Sequence, residues 1–213
     1  MRKFTADTHY GHGNIIRYCA RPFADAGQMS ADLVLKALGT LGEGDSLWHL
    51  GDVALGNLGE SMTCLAAISA QHHVTLMAGN HDRCHPCNRN PDRWRTEYYE
   101  KGGIGMLHTV PVKLALGDGT EVNVCHFPYA ERGDGMEDRH GRLVPDRFAQ
   151  WRPADDGSWL LCGHVHNAWR QRGRMINVGV DAWGGRPVGE DEILRLIGDG
   201  PADLMPVPWE RPR

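Results

Sequence analysis

Five short blocks of the chain end in residues that bind metals or move protons. They are 7-DTH-9, 51-GD-52, 79-GNHD-82, His126 after 122-VNVC-125, and 163-GHVH-166. Carboxylate, imidazole and amide oxygen together suit divalent Mn, Fe, Zn or Ni better than a soft all-thiolate site would. On an extended backbone, residues i and i+2 point the same way. Asp7 with His9, and His164 with His166, can therefore each grip one ion. Taken singly, every block also has an ordinary reading. Asp7 and His9 could be surface polar residues after a strand, and Asp52 a loop carboxylate or helix cap. Asn80 could be a turn former after Gly79, and His126 a partly buried imidazole bonded to backbone.

The GNHD block runs straight into 84-CHPC-87, which raises a small zinc site as a competitor. A structural zinc needs about four ligands, and no second C-x-x-C is present to complete one. Cys84, His85 and Cys87 are therefore read as ordinary structural residues.

The elements that must position these blocks are short apolar runs bounded by turns, the pattern of buried strands. They are KFTA before Asp7, 47-LWHL-50, 74-VTLMA-78, 122-VNVC-125 and 159-WLLC-162. Helical patterns lie between some of them. Residues 28–38 have Ser30 as the expected N-cap and Gly39 at the exit, and residues 58–70 look similar. Strand–helix alternation predicts an α/β protein. In such folds ligands bind beyond the carboxyl ends of strands, so five strand ends bearing ligand-type residues predict one shared site.

The whole chain narrows the function classes. With 213 residues it is most simply one domain, long enough to bury a core without staples. Its hydrophobic fraction of 41% and charged fraction of 23% are those of a globular protein. A net charge of −4 argues against a general nucleic-acid coat. No apolar run approaches the roughly 20 residues of a membrane span, and the N-terminus lacks a signal peptide's apolar centre. A cytoplasmic protein with six reduced cysteines is the expectation. Residues 128–157 form a long polar interruption, a length that often marks a functional loop. The segment 198–213 is Pro-rich and is expected to lie extended or without fixed structure.

In their joint order, D-x-H, G-D, G-N-H-D, H and G-H-x-H resemble the calcineurin-like metallophosphoesterase superfamily, from Asp7 to His166. The opening block 7-DTHYGHGNIIRYCARPF-23 also looks like a branch of small bacterial and phage members. The resemblance implies a four-layered α/β/β/α sandwich, two mixed sheets flanked by helices, over residues 1–197 with the loop 128–157 inserted. It implies two divalent transition-metal ions, Mn first and Fe, Zn or Ni as alternatives. Asp7, His9 and His166 would hold one ion, Asn80, His126 and His164 the other, and Asp52 would bridge them. A shared hydroxide would attack phosphorus in line with the leaving oxygen. His81 would act as acid or transition-state stabiliser, with Asp82 orienting it.

The substrate implied is a phosphoester. A nucleotide or nucleic-acid-end diester is favoured over the monoester of a small metabolite. A scaffold that keeps the fold without catalysis is the alternative from another class. His12, Asn14, Arg17 and Arg21 follow the first block closely enough to touch substrate. The run Arg83, Arg89, Arg93 and Arg95, interleaved with Trp94, Tyr98 and Tyr99, reads either as a solvated helix face or as a nucleotide edge. His49, within a strand, reads as a core histidine.

Overall fold

The computed structural model describes residues 1–130, 135–137 and 143–209. Two mixed sheets make the framework. The first orders β12 (Val188–Gly189), β1 (Arg2–Thr5), β2 (Ser46–His49), β3 (His73–Met77) and β4 (Met106–His108) side by side. Its three pairings from β1 to β4 are parallel, and β12 adds an antiparallel edge. The second orders β13 (Ala202–Leu204), β10 (Gln171–Gly173), β11 (Met175–Asn177), β9 (Trp159–Cys162), β6 (Glu121–Val124) and β5 (Val112–Ala115). Here β11, β9 and β6 run parallel, between antiparallel neighbours. A two-stranded ribbon, β7 (Gly135–Glu137) with β8 (Leu143–Pro145), stands within the 128–157 insertion.

Side-chain alternation sorts the strands into layers. Phe4, Ala6, Leu50 and Met77 from the first sheet meet Val122, Val124, Leu161 and Ile176 from the second in one buried core. The opposite face of the first sheet presents Leu47, Val74 and Leu76 to helices α1 (Gly13–Tyr18), α2 (Ala26–Thr40) and α3 (Leu58–Ser69). Met29, Leu33 and Ala37 recur every four residues on α2 and are buried there. Each such Leu contributes roughly 1.5–3 kcal/mol by leaving water. The short α4 (Asp92–Thr96) runs into a wider helical turn over Glu97–Lys101.

Four expectations change. The start of α2 lies at Asp25, whose carboxylate accepts from Gln28 N at 2.8 Å. Ser30 sits inside the helix, where its hydroxyl accepts from Gly11 N at 3.0 Å. The outer face of the second sheet carries no α-helix among the described residues. Leu160, Cys162 and Met175 are covered there by Phe148, Trp151 and Trp169, so the fourth layer is made of loop aromatics. Helix α5 (Glu190–Asp199) instead sends Ile193 and Leu196 into the core between the sheets. The boundary expected at residue 198 falls inside α5, and the segment beyond it is partly a strand, β13. Trp209 then packs edge-on against Phe23, 5.6 Å between centroids. Parts of the 128–157 loop (131–134 and 138–142) and of the tail (210–213) lie outside the described residues.

Candidate metal centre

All seven residues expected to bind metal lie at strand ends, on one edge where the two sheets meet. Asp7 and His9 follow β1, Asp52 follows β2, and Asn80 follows β3. His126 follows β6, and His164 and His166 follow β9. Backbone bonds splice these ends together. Asp7 N donates to Gly51 O (2.9 Å), His9 N to Asp52 O (3.0 Å) and Val180 N to Ala6 O (3.0 Å).

The backbone is strained where the ligands stand. Asp7, His9, Asp52, His164 and His166 have φ of 57°, 48°, 56°, 72° and 48°. Only two other described non-glycine residues, Ala20 and Asn90, share that left-handed region. Such conformations cost of order 1–3 kcal/mol each and cluster where surrounding structure forces them for function. Two glycines let the loops close up. A Cβ on Gly79 would lie 2.6 Å from Asp52 N and 2.7 Å from His126 Cε1. One on Gly51 (φ 93°) would lie 2.7 Å from His126 Nδ1.

The side chains converge. The ligand atoms of Asp7, His9 and His166 lie within 4.8 Å of one another, and so do those of Asp7, Asp52 and His126. Asp52 Oδ2 faces three imidazole nitrogens, His126 Nε2 at 3.5 Å, His9 Nε2 at 3.7 Å and His81 Nε2 at 4.0 Å. Asn80 Oδ1 lies 3.1 Å from His126 Nε2 and 2.9 Å from His164 Nδ1.

Two observations test whether a cation fits. Both ring nitrogens of His9 are buried without a hydrogen-bond partner among the described residues, which is costly unless something binds them. His126 Nδ1 lies 2.7 Å from Leu50 O. A carbonyl can only accept, so that nitrogen carries the proton. The lone pair on Nε2 then points at the oxygens of Asn80 and Asp52, acceptor against acceptor. A cation between them resolves the conflict. Bound metals often have ligand histidines whose second nitrogen donates to a carbonyl or carboxylate. His166 fits that pattern too, with Nδ1 3.0 Å from Asp181 Oδ2.

The titration pattern follows from burial. Burial raises Asp7 to about 6, with His166 opposing and Asp181 adding to the rise. Burial, then the charges of Asp7 and Asp82, pushes Asp52 well above the carboxylate range. Burial holds His9 and His126 well below 6.5 and His164 at about 3. His166 alone goes up, to about 11. Burial opposes that rise, and the Asp181 hydrogen bond and Asp7 charge outweigh it. A divalent cation would reverse this logic, keeping carboxylates ionised and imidazoles neutral.

His81 stands at the mouth. Its side chain is 36% exposed, against 1% for His9 and His126. Its backbone N donates to Asp52 Oδ1 at 2.8 Å. Burial, then the His166, His12 and Arg147 charges, lowers it to about 4, so it is neutral near pH 7. Asp82 does not orient it. The Asp82 carboxylate turns inward and accepts from Asp52 N (2.8 Å), Gly79 N (2.9 Å), Val53 N (3.1 Å) and Tyr98 OH (3.2 Å). It fixes the loops that carry Asp52 and Asn80.

Arg21 is also not a substrate contact. It is buried, donates to Asp181 through two nitrogens (2.8 and 2.7 Å), and reaches Thr8 O (3.0 Å) and Asp7 O (2.7 Å). His12, 5.8 Å from the His9 ring, borders the site. Asn14 and Arg17 bond one another at 3.1 Å on the exposed rim. His49 is a core residue, with Nε2 3.0 Å from Thr8 Oγ1 and Nδ1 accepting from Gly51 N.

Cys84 is buried, and Cys87 Sγ reaches Asn80 O at 3.7 Å. In the basic run, Arg83 and Arg93 lie over Trp94 at 4.6 and 5.3 Å. Tyr98 is buried beneath them against Asp82. Asp181 and Asn177 were missed from the sequence. Asn177 Nδ2 holds His166 O at 2.8 Å. Asn177 ends the strand 175-MIN-177 and Asp181 follows it, the same strand-end signal as the five blocks.

With 34% identity over 203 residues, the chain is similar to the Gene 66 protein of Mycobacterium phage L5, covering 91% of this chain and 92% of that one. The chain belongs to the Gene 66 protein family. The family member from Mycobacterium phage D29 is 32% identical over 204 residues, 92% of this chain and 95% of its own length. No family model matches the chain. A crystal structure of AQ665 from Aquifex aeolicus, a protein of unknown function, covers 92% of this chain and 98% of its own at TM-score 0.61 and 22% identity. That likeness concerns the fold.

Proposed function

We propose that this chain is a dinuclear-metal phosphoester hydrolase of calcineurin-like fold, acting on a phosphodiester of a nucleotide or nucleic-acid end. The observation that carries the reading is the buried convergence of imidazole, carboxylate and amide ligand atoms around the unpartnered His9. Both ring nitrogens of His9 lack a partner among the described residues, and His126 Nε2 faces Asn80 Oδ1 at 3.1 Å and Asp52 Oδ2 at 3.5 Å. Asp7, His9 and His166 would hold one ion, and Asn80, His126 and His164 the other, with Asp52 between the two sets. The oxygen and nitrogen donors suit Mn first, then Fe, Zn or Ni. When bound, such a pair supplies Lewis-acid neutralisation of phosphoryl charge and lowers the pKa of water.

The protein's own residues do the rest. Asp181 holds the His166 ring by its Nδ1, and Leu50 O holds His126, so the free nitrogens aim inward. Asp82 and Arg21 fix the loops from behind. His81, neutral and partly exposed at the mouth, presents a ring N–H to the leaving oxygen, and an anionic substrate beside it would favour its protonated form.

The test is hydrolysis of bis-p-nitrophenyl phosphate and p-nitrophenyl phosphate by metal-stripped protein reloaded with manganese. Faster diester cleavage that disappears with chelator is the expected result. Preferred monoester cleavage would move the substrate to a phosphorylated metabolite. Absence of both activities would remove the enzymatic reading.

A further inference from the structure

A second hollow adjoins the metal centre. It has a volume of about 210 Å³, and its walls include His126, Phe127, His85, Thr109, Gln150 and Trp151. Pockets for drug-sized molecules run about 300–1,000 Å³, so this one suits a single flat ring system. Much of its wall is aromatic. His85 meets Trp151 at 5.0 Å and 74°, and Phe127 at 5.7 Å and 70°. His126, on the same wall, is a residue of the metal centre.

Two N–H groups in these walls have no acceptor among the described residues. Trp151 Nε1 is buried without a partner among the described residues. His85 is only 3% exposed, and its Nδ1 accepts from Cys87 N at 3.1 Å. The proton of the neutral ring therefore sits on Nε2, where no described residue accepts it. Trp151 Nε1 is the buried unpartnered donor of this hollow, and such a donor calls for a ligand that accepts from it; His85 Nε2 offers a second N–H on the same wall.

We propose that this hollow takes a flat nitrogen heterocycle with ring carbonyl oxygens, the chemistry of an oxo-bearing nucleobase. Its oxygens accept from Trp151 Nε1 and His85 Nε2, and its ring lies against the aromatic walls. Base–aromatic contact of this kind favours binding whichever base is presented. The ring site stands on the hollow alone. Its link to a phosphoester across His126 rests on the phosphoesterase reading.

The test uses nucleosides, which carry no phosphate, titrated calorimetrically into metal-free protein. Uridine is expected to bind more tightly than adenosine. Trp151→Phe and His85→Phe should each weaken uridine about fivefold, the loss of one hydrogen bond. Both variants should keep manganese-dependent aryl phosphodiester cleavage. Thermal melts identify a variant that fails to fold, and the other variant and the uridine–adenosine comparison then carry the test. The proposal is overturned if uridine does not bind, if adenosine binds as well, or if neither folded variant weakens it. Uridine binding without any phosphoester cleavage would keep the ring site and remove the phosphoesterase reading. Cleavage without uridine binding would do the reverse.

Discussion

Replacing Arg21 by Met should unfasten the centre from behind. The Arg21 and Asp181 side chains are fully buried, and the pair is joined by two bonds of 2.8 and 2.7 Å. Removing the guanidinium leaves the Asp181 carboxylate without its strongest partner and frees the carbonyls of Asp7 and Thr8. Breaking a buried pair in this way costs about 3–5 kcal/mol. Asp181 keeps His166 Nδ1 at 3.0 Å, so the lower end, about 3 kcal/mol, is expected. In a chain of this size that is a fall in Tm of roughly 6–12 °C. The assay is urea unfolding of wild type, Arg21→Met, Asp181→Asn and the double variant. Removing both charges together should cost less than the sum of the single changes by at least about 1 kcal/mol. A loss below about 1 kcal/mol for Arg21→Met, or simple additivity, would refute the reasoning.

Metal and pH should act against each other. Asp7 is raised to about 6 from 3.8. Its stability contribution in metal-free protein is therefore fully present below about pH 3.8 and is lost as pH rises through about 6. A cation replaces that proton, so the rise in Tm on adding manganese should be larger near pH 7.5 than near pH 5; an equal or reversed rise sinks the assignment. His81→Ala should keep manganese binding, read by calorimetry, while aryl phosphodiester turnover falls about 100- to 10,000-fold. Loss of metal, or undiminished turnover, excludes that role. Gly79→Ala should abolish manganese binding, because the added methyl meets Asp52 N and His126 Cε1; a variant with wild-type affinity would show that the loops need not pack so closely.

The strand ends were legible because an apolar run stopping at a ligand-type residue is a local event. All five runs became strands with bounds within one residue of the reading. What failed was not local. Asp82 follows His81 in sequence, yet the turn sends it inward under three backbone N–H groups, so adjacency misled. Arg21 and Asp181 are 160 positions apart, and no spacing rule joins them. Ser30 looked like a cap, but Asp25 lies upstream and took that place. Strand β13 was hidden by the Pro-rich composition around it, because its pairing with β10 is set by the sheet edge rather than by its own pattern.

The seven side chains are supplied by both sheets, from Asp7 near one end of the chain to His166 near the other. Asp181, still further on, aligns the last of them. During synthesis the first half therefore emerges with Asp7, His9, Asp52 and Asn80 in hand but without His126, His164 and His166, which come with the second sheet. A partly made chain has no complete centre to fill, and acquisition of the site waits until β9, β11 and the 177–181 turn have docked. Metal loading would then mark completed molecules, separating finished from nascent chains without any outside inspector.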